Sequence, residues 1–102
     1  MQISLQEKGD ALYIWLDGEL DEHTASQARR YVDSGATKYP RVKKVVFDLS
    51  KVSFMDSTGI GFLIGRYKTF SRFGLPVYIS NPNRETDKIL TLGGIYALLP
   101  RL

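Results

Sequence analysis

One short stretch of the chain places a nucleophilic hydroxyl beside an acid: Asp56, Ser57, Thr58 and Gly59 follow one another. The apolar spacing after them predicts a helix that begins at Ser57. Asp56 or Ser57 can act there as a simple helix cap. The hydroxyl is also suited to phosphorylation, because free backbone N–H groups and the dipole at a helix start favour an anion. A phosphate would add roughly −1.5 to −2 charges to the surface and block a docking partner.

Catalysis by the same serine would need further groups. His23 is the only histidine of the chain, and a Ser–His mechanism requires it within hydrogen-bond reach of Ser57, with an acid to orient it. The residues around Ser57 also lack the Gly-x-Ser-x-Gly elbow of α/β hydrolases. Asp48 ends a predicted strand, as in aspartyl-phosphate receivers, but no acidic pair follows the first strand to hold magnesium. We therefore expect a protein without enzymatic activity, resident metal or cofactor.

Composition narrows the classes of protein further. The 102 residues include no cysteine, which excludes disulfides, thiolate zinc sites and cysteine nucleophiles. The net charge is +3, but the basic residues are dispersed, which argues against direct nucleic-acid binding. The longest wholly apolar run, Ala11–Leu16, is far shorter than the ~20 residues that span a bilayer, and no secretory signal precedes it. We expect a single cytoplasmic domain over residues 1–102.

Apolar periodicity assigns the elements that must position Ser57. Residues 2–6 alternate as a half-buried strand, and a polar connection leads into a strand at 11–16, which predicts an antiparallel hairpin. The remaining predictions are a loop at 18–22, helices at 23–39, 57–72 and 83–92, strands at 43–49 and 77–80, and at most an edge strand at 97–102. Asp21 with Thr24 is expected to cap the first of these helices and Asn83 the third. The order β-β-α-β-α-β-α-(β) predicts an α/β domain with a mixed sheet of four to five strands and helices mainly on one face.

Right-handed crossovers bring distant polar residues to one edge of this sheet. The loops that leave the strands at Leu16, Leu49 and Ser80 emerge at the same edge, where open α/β sheets place their sites. We expect that edge to carry His23, Asp56, Ser57, Thr58 and Asn81. The aromatic residues Tyr13, Trp15 and Tyr78 face away from Leu12, Ile14 and Leu16. One alternative is that these aromatic residues belong to a core on the second face of the sheet. If all helices lie on one side, they instead form an exposed patch that permits a weak dimer.

The helix at 57–72 contains three interior glycines, each of which costs up to ~1 kcal/mol relative to alanine. Its apolar stripe, which should face the sheet, consists of Ile60, Leu63, Ile64, Tyr67 and Phe70. Gly59 lies near that stripe, so close backbone packing is one explanation for it. Gly61 and Gly65 point away and predict a smooth surface for a partner. Phe62 also lies outside the stripe. It is either an exposed contact residue or partly buried under the first helix.

Two motifs resemble a known family. Residues 54–61 (FMDSTGIG) followed by 65–68 (GRYK) closely resemble the phosphorylation motif of STAS domains of the anti-sigma factor antagonist type. Residues 18–25 (GELDEHTA) are similar to that family's loop after the second strand. The resemblance runs from the first hairpin to about Leu99. Members usually continue into a C-terminal helix, which this sequence, ending at Leu102, is expected to lack.

The resemblance implies a partner-switching protein. The unphosphorylated form would bind an anti-sigma factor that is also a serine kinase, and so release the sigma factor. Phosphorylation by that kinase, with its own ATP, would end the interaction, and a serine phosphatase would restore it. By motif position, Ser57 is the phosphoacceptor, framed by Asp56, Thr58 and Gly59, and the docking rim includes Asp21, His23 and Thr24. The alternative is a STAS scaffold or regulatory subunit in another signalling or transport complex.

Overall fold

The computed structural model describes all residues, Met1–Leu102. Its elements are β1 (Gln2–Lys8), β2 (Ala11–Leu20), α1 (Ala25–Ala36), β3 (Lys44–Asp48), β4 (Val52–Met55), α2 (Ser57–Ser71), β5 (Val77–Ser80), α3 (Arg84–Leu92) and a 3-10 turn (Ile95–Ala97). The α/β class and the succession of predicted helices are confirmed. None of the helices combines the length and the apolar character needed to cross a bilayer.

The sheet is mixed, as predicted. Its strands lie in the order β1-β2-β3-β5, with β1 antiparallel to β2 and the remaining pairs parallel. β2 has 10 residues and β3 only 5, so the last part of β2 extends beyond β3. There it pairs in parallel with β4. The register shifts between Gly18 and Glu19, where Gly18 has a φ of 125° that residues with side chains rarely adopt.

All three helices pack on one face of the sheet. Alternate residues of β2 face them and are fully buried. This core includes Leu12, Ile14, Leu16, Ala28, Val32, Leu63, Phe70 and Leu90. On the other face Tyr13 and Trp15 stack with their ring centroids 5.7 Å apart and stay half-buried, with the Lys8 ammonium over both rings. No helix covers these rings, so a second packed layer is wrong, and self-association through them stays a prediction.

The loop predicted at 18–22 is wrong in its first three residues, which belong to β2. They are extended because β4 pairs with them, and β4 was not predicted. Four residues with only the first and last buried give β4 no alternating pattern. Short strands of this kind take their conformation from a partner strand rather than from local preference.

The last predicted strand forms only in part. The 3-10 turn at Ile95–Ala97 includes the first residue of the predicted strand, and within 98–102 a single bridge joins Arg101 to Ile79. Pro100 has no N–H to extend the ladder, but its carbonyl accepts a hydrogen bond from Ile79 N at 3.0 Å. The cap predicted for the third helix is confirmed, because Asn83 accepts from Thr86 N at 2.8 Å.

Candidate functional site

Ser57 is exposed at the first position of α2, and the residue before it caps the helix. Asp56 has an extended backbone, and its Oδ1 atom accepts hydrogen bonds from Thr58 N at 2.9 Å and Gly59 N at 3.3 Å. The side chain of Ser57 is therefore not needed for capping. The expectation that both of these N–H groups are free to receive a phosphate is wrong, because the Asp56 carboxylate already binds them.

The loop between β2 and α1 is fixed by its own side chains. Asp21 Oδ1 accepts from His23 N at 2.9 Å, and the Thr24 hydroxyl donates to Glu19 O at 2.7 Å. The expected capping role of Asp21 and Thr24 is wrong: Thr24 occupies the cap position but makes no side-chain cap bond to α1. Its hydroxyl closes the turn instead, since it also accepts from Asp21 N at 3.1 Å. His23 is exposed, with its imidazole 3.7 Å from Glu22.

The unpredicted strand β4 brings the two sequence motifs together. Leu20, the last residue of β2, pairs with Met55, the last residue of β4. The next residues in the two segments are Asp21 and Asp56, so the start of the β2–α1 loop lies beside the start of α2. This pairing places Ser57 on the same rim as that loop. The rim is acidic, because it carries two aspartates and the neighbouring Glu22.

Gly59 is required by packing at this junction. A Cβ atom there would lie 2.4 Å from Met55 Cγ and 3.0 Å from Leu20 O, closer than real contacts allow. Gly61 and Gly65 are different, because a Cβ at either would meet nothing within 4 Å. The close-packing explanation is therefore right for Gly59, and nothing inside the chain requires the other two glycines.

The buried face of α2 is rotated from the predicted stripe. Its buried residues are Gly59, Phe62, Leu63, Arg66 and Phe70, whereas Ile60, Ile64 and Tyr67 are half-buried. Phe62 is only 5% exposed and meets Phe47 edge-on, with ring centroids 6.0 Å apart. The expectation of an exposed aromatic contact at Phe62 is thus wrong, and its alternative of burial is right. The reason is tertiary: α1 covers this flank of α2.

A groove of about 440 Å³ runs between α1 and α2, next to the acidic rim. The α2 side is formed by Thr58, Gly61, Phe62, Gly65 and Arg66, and the facing side by Glu22, Ala25, Ser26 and Arg29. Sequence reasoning found most of the first side and missed the second. Positions 25, 26 and 29 share one face of α1, as 58, 61, 62 and 65 share one face of α2. That spacing is the signal that could have identified most of the second side.

A buried arginine joins the two helices under the groove. Arg66 Nε lies 2.9 Å from Asp33 Oδ1, with the arginine side chain 7% exposed. Burial lowers the pKa of Arg66, and the neighbouring charge of Arg29 lowers it further, against the opposing effect of Asp33. Arginine nonetheless stays protonated in proteins. The pair therefore holds α1 against α2.

Asn81 lies at the carboxyl edge of the sheet, where it joins the end of β5 to the end of β3. It has a left-handed φ of 55°, and its amide donates to Asp48 Oδ2 at 3.1 Å while Ser50 N donates to Oδ1 at 2.9 Å. Burial alone would raise the pKa of Asp48, but hydrogen bonds from Ser50, Asn81 and Trp15 outweigh it and hold that pKa below its ordinary value. Asp48 thus fixes the β5–α3 loop to the end of β3.

Known proteins are similar to this chain in sequence and in fold. An anti-sigma F factor antagonist of Paenibacillus polymyxa is 30% identical over 100 residues, which are 98% of this chain and 85% of that protein. The structure of the anti-sigma factor antagonist SpoIIAA in its unphosphorylated form has a TM-score of 0.79 at 24% identity, covering 99% of this chain and 88% of that one. The phosphorylated form of SpoIIAA from Bacillus has a TM-score of 0.71 at 24% identity, covering 99% and 91%.

A larger protein contains the same fold. The structure of the murine anion transporter Slc26a9 has a TM-score of 0.79 at 20% identity, covering 90% of this chain and 15% of that one. At these identities the structural likenesses show a shared fold. Residues 2–101 also match the STAS domain family, which confirms the resemblance of the sequence motifs. The chain belongs to the STAS domain family.

Proposed function

We propose that this protein is an anti-sigma factor antagonist that Ser57 phosphorylation switches off. Its unphosphorylated form binds an anti-sigma factor that is also a serine kinase, and the sigma factor is released in the cytoplasm. ATP is consumed by that partner, and this chain holds no cofactor of its own. A serine phosphatase restores the binding form. The protein is thus a regulator rather than an enzyme.

The observation that carries the proposal is the position of Ser57. It is exposed at the start of α2 beside the loop at 21–24, and it lies within a motif shared with the anti-sigma factor antagonists. The similarity to the Paenibacillus polymyxa protein over 98% of this chain supports the same function. The groove between α1 and α2 begins at Thr58, so a partner docked in it would lie against the Ser57 hydroxyl.

Local electrostatics explain how a phosphate would act. The partner kinase would transfer the γ-phosphoryl group of ATP to Ser57 Oγ, with ADP as the leaving group and the hydroxyl proton passing to the kinase. The new group adds roughly −1.5 to −2 charges next to the Asp56 carboxylate and near Asp21. The phosphate would repel the neighbouring carboxylates and any acidic group of the partner surface. Its desolvation in the interface would also cost free energy. Binding weakens although the fold is retained.

The first test is phosphorylation with site mapping. The chain is incubated with its candidate kinase and ATP, and the phosphopeptide is identified by mass spectrometry. We expect one phosphate, on Ser57, none in Ser57→Ala, and unchanged labelling in the control Ser71→Ala, at the exposed far end of α2. Phosphate on another residue, with Ser57 unmodified, would reject the assignment.

The second test measures the switch itself. Ser57→Asp places a fixed charge on the rim and should weaken kinase binding by well over tenfold in calorimetric titration. Ser71→Asp is the matched control, because it puts the same charge at the exposed far end of α2. Equal affinities of the two variants would count against electrostatic switching at Ser57.

A second candidate function is a STAS module within another signalling or transport complex. The likeness to part of Slc26a9 favours it, since that transporter contains the same fold. Tight binding of this chain to a histidine-kinase-like ATPase discriminates in favour of the sigma-factor pathway. Failure of that binding, together with co-purification of a different complex from native cells, would favour the alternative.

A further inference from the structure

A second cleft lies at the end of the domain away from Ser57. It has a volume of about 440 Å³ and opens where the C-terminal halves of α1 and α2 meet the residues that lead into β3. Seven of its eleven lining residues are apolar. Its walls include the buried side chains of Leu12, Val42 and Phe70. Clefts that bind small molecules have volumes of roughly 300–1,000 Å³, mostly apolar walls and a few placed polar groups.

The mouth of this cleft carries an unusual side chain. Phe73 lines it and is 74% exposed, one of the largest exposures of any apolar residue in the chain. Gly74 follows with a φ of 73° and turns the backbone back toward β5. An aromatic ring in this position gains contact area when an apolar molecule occupies the cleft, and the removal of that apolar surface from water favours binding.

The polar atoms of the cleft are mainly hydrogen-bond acceptors. The Thr37 hydroxyl donates its proton to Ser34 O at 2.7 Å, and the Thr69 hydroxyl donates to Gly65 O at 3.1 Å. Both oxygens keep lone pairs for a further donor. Asp33 adds a carboxylate: its Oδ1 atom is paired with Arg66 Nε, and its Oδ2 atom has lone pairs of its own. The Tyr39 phenol is the one lining side chain with a proton to donate, and no lysine or arginine lines the cleft.

We infer that this cleft binds a small apolar molecule with a single hydrogen-bond-donating head group. An organic ammonium fits best, because the Asp33 carboxylate and the two threonine oxygens accept from it while the apolar walls bury the rest. A carboxylate ligand is disfavoured because the cleft offers it mainly acceptors and no lysine or arginine. The inference is independent of the function proposed above, since no residue of the acidic rim takes part.

The test is an NMR titration of the isotope-labelled full chain with four compounds of one carbon skeleton. Phenethylamine carries the ammonium, 2-phenylethanol the neutral donor, ethylbenzene no polar group and phenylacetate the carboxylate. We expect affinity to fall in that order, by at least tenfold from the first to the last. Shifts should centre on Ala36, Thr69 and Phe73, and the Arg66 Nε–H should report changes at its partner Asp33. Shifts centred elsewhere, none at all, or tightest binding of phenylacetate would overturn the inference.

Two variants locate the ligand within the cleft. Ala36→Leu fills the cleft with a good helix former and should abolish the phenethylamine shifts. Thr69→Val keeps the shape but removes one acceptor, so it should weaken phenethylamine severalfold and leave ethylbenzene unchanged. Thr91→Val is its matched control, because Thr91 makes the same bond to a carbonyl four residues earlier, Asp87 O at 2.8 Å, outside the cleft. If Ala36→Leu fails to fold, the Thr69 and Thr91 pair decides, and equal affinities for phenethylamine would reject the site.

Discussion

Glycines occur on both faces of α2, but for opposite reasons. On the sheet side, Gly59 leaves no room for a side chain, since a Cβ there would lie 3.0 Å from Leu20 O. On the outer side, Gly61 and Gly65 border open space, with nothing within 4 Å of a Cβ. Packing therefore requires one of the three glycines in this helix, and the fold does not need the other two.

This difference shows where to look for a partner. Glycine in a helix interior costs up to ~1 kcal/mol relative to alanine, and no contact within the chain compensates for it at Gly61 and Gly65. Both line the groove next to the acidic rim, where a flat helix surface lets another backbone approach closely. The outer glycines thus support the proposed docking surface, whereas Gly59 supports only the fold.

The largest effect is expected for Gly59→Ala. The added methyl group would displace Met55 or the Leu20 backbone, and overpacking of this kind costs about 1–3 kcal/mol. The free energy of unfolding from urea denaturation measures it, with Gly61→Ala as the matched control on the same helix. If Gly59→Ala were as stable as Gly61→Ala, the division between the two faces would fail.

A smaller loss is expected for Asp56→Ala at the helix start, where the two faces meet. Removal of an N-cap acceptor lowers the free energy of unfolding by about 1 kcal/mol. Asp56→Asn should keep most of the cap's stability, because the asparagine side-chain oxygen still accepts. Ser57→Ala should change stability by less than about 0.5 kcal/mol, as exposed substitutions usually do. Thermal unfolding of the three variants separates capping from the proposed switch. A larger loss for Ser57→Ala than for Asp56→Ala would assign the cap to the serine.

A stabilising effect is expected on the outer face. Gly61→Ala and Gly65→Ala should each raise the free energy of unfolding by about 0.4–1 kcal/mol, because alanine restricts the unfolded chain and fits the helix without strain. Affinity for the anti-sigma factor should fall in the same proteins. Urea denaturation and calorimetric titration provide the two readouts. Variants that gain stability and keep full affinity would show that the outer glycines serve no partner.

The smallest effect extends the comparison from glycines to acids, and it is lost on acidification. Asp48 is held in the fold with a lowered pKa, so its contribution to stability is present above its ordinary value of 3.8 and is lost as the pH falls through the folded value. The difference in unfolding free energy between the wild type and Asp48→Asn should therefore shrink below about pH 4. Glu22→Gln is the control, since Glu22 is exposed on the rim. An unchanged difference down to pH 2 would contradict the role of Asp48.

Local chemistry made much of this molecule predictable. Alternation in residues 2–6, the apolar run at 11–16 and the spacing in α2 predicted strands and a helix, because each element has to bury its apolar residues. The Asn83 cap was also predictable, because an asparagine before a helix commonly accepts a hydrogen bond from a backbone N–H of the first turn. The motif around Ser57 also lies in one short segment, so its family resemblance could be identified before any contact between segments was known.

Contacts between distant segments decided the rest. β4 is too short to be extended without the end of β2, and that pairing alone places Asp21 beside Asp56. The rotation of α2 that buries Phe62 depends on α1 and on the Arg66–Asp33 pair, neither of which changes the periodicity of α2 itself. The sequence by itself determined the three helices, the longer strands and the hydroxyl that is the candidate for modification. The tertiary structure decided which faces remain open, because burial depends on what an element packs against.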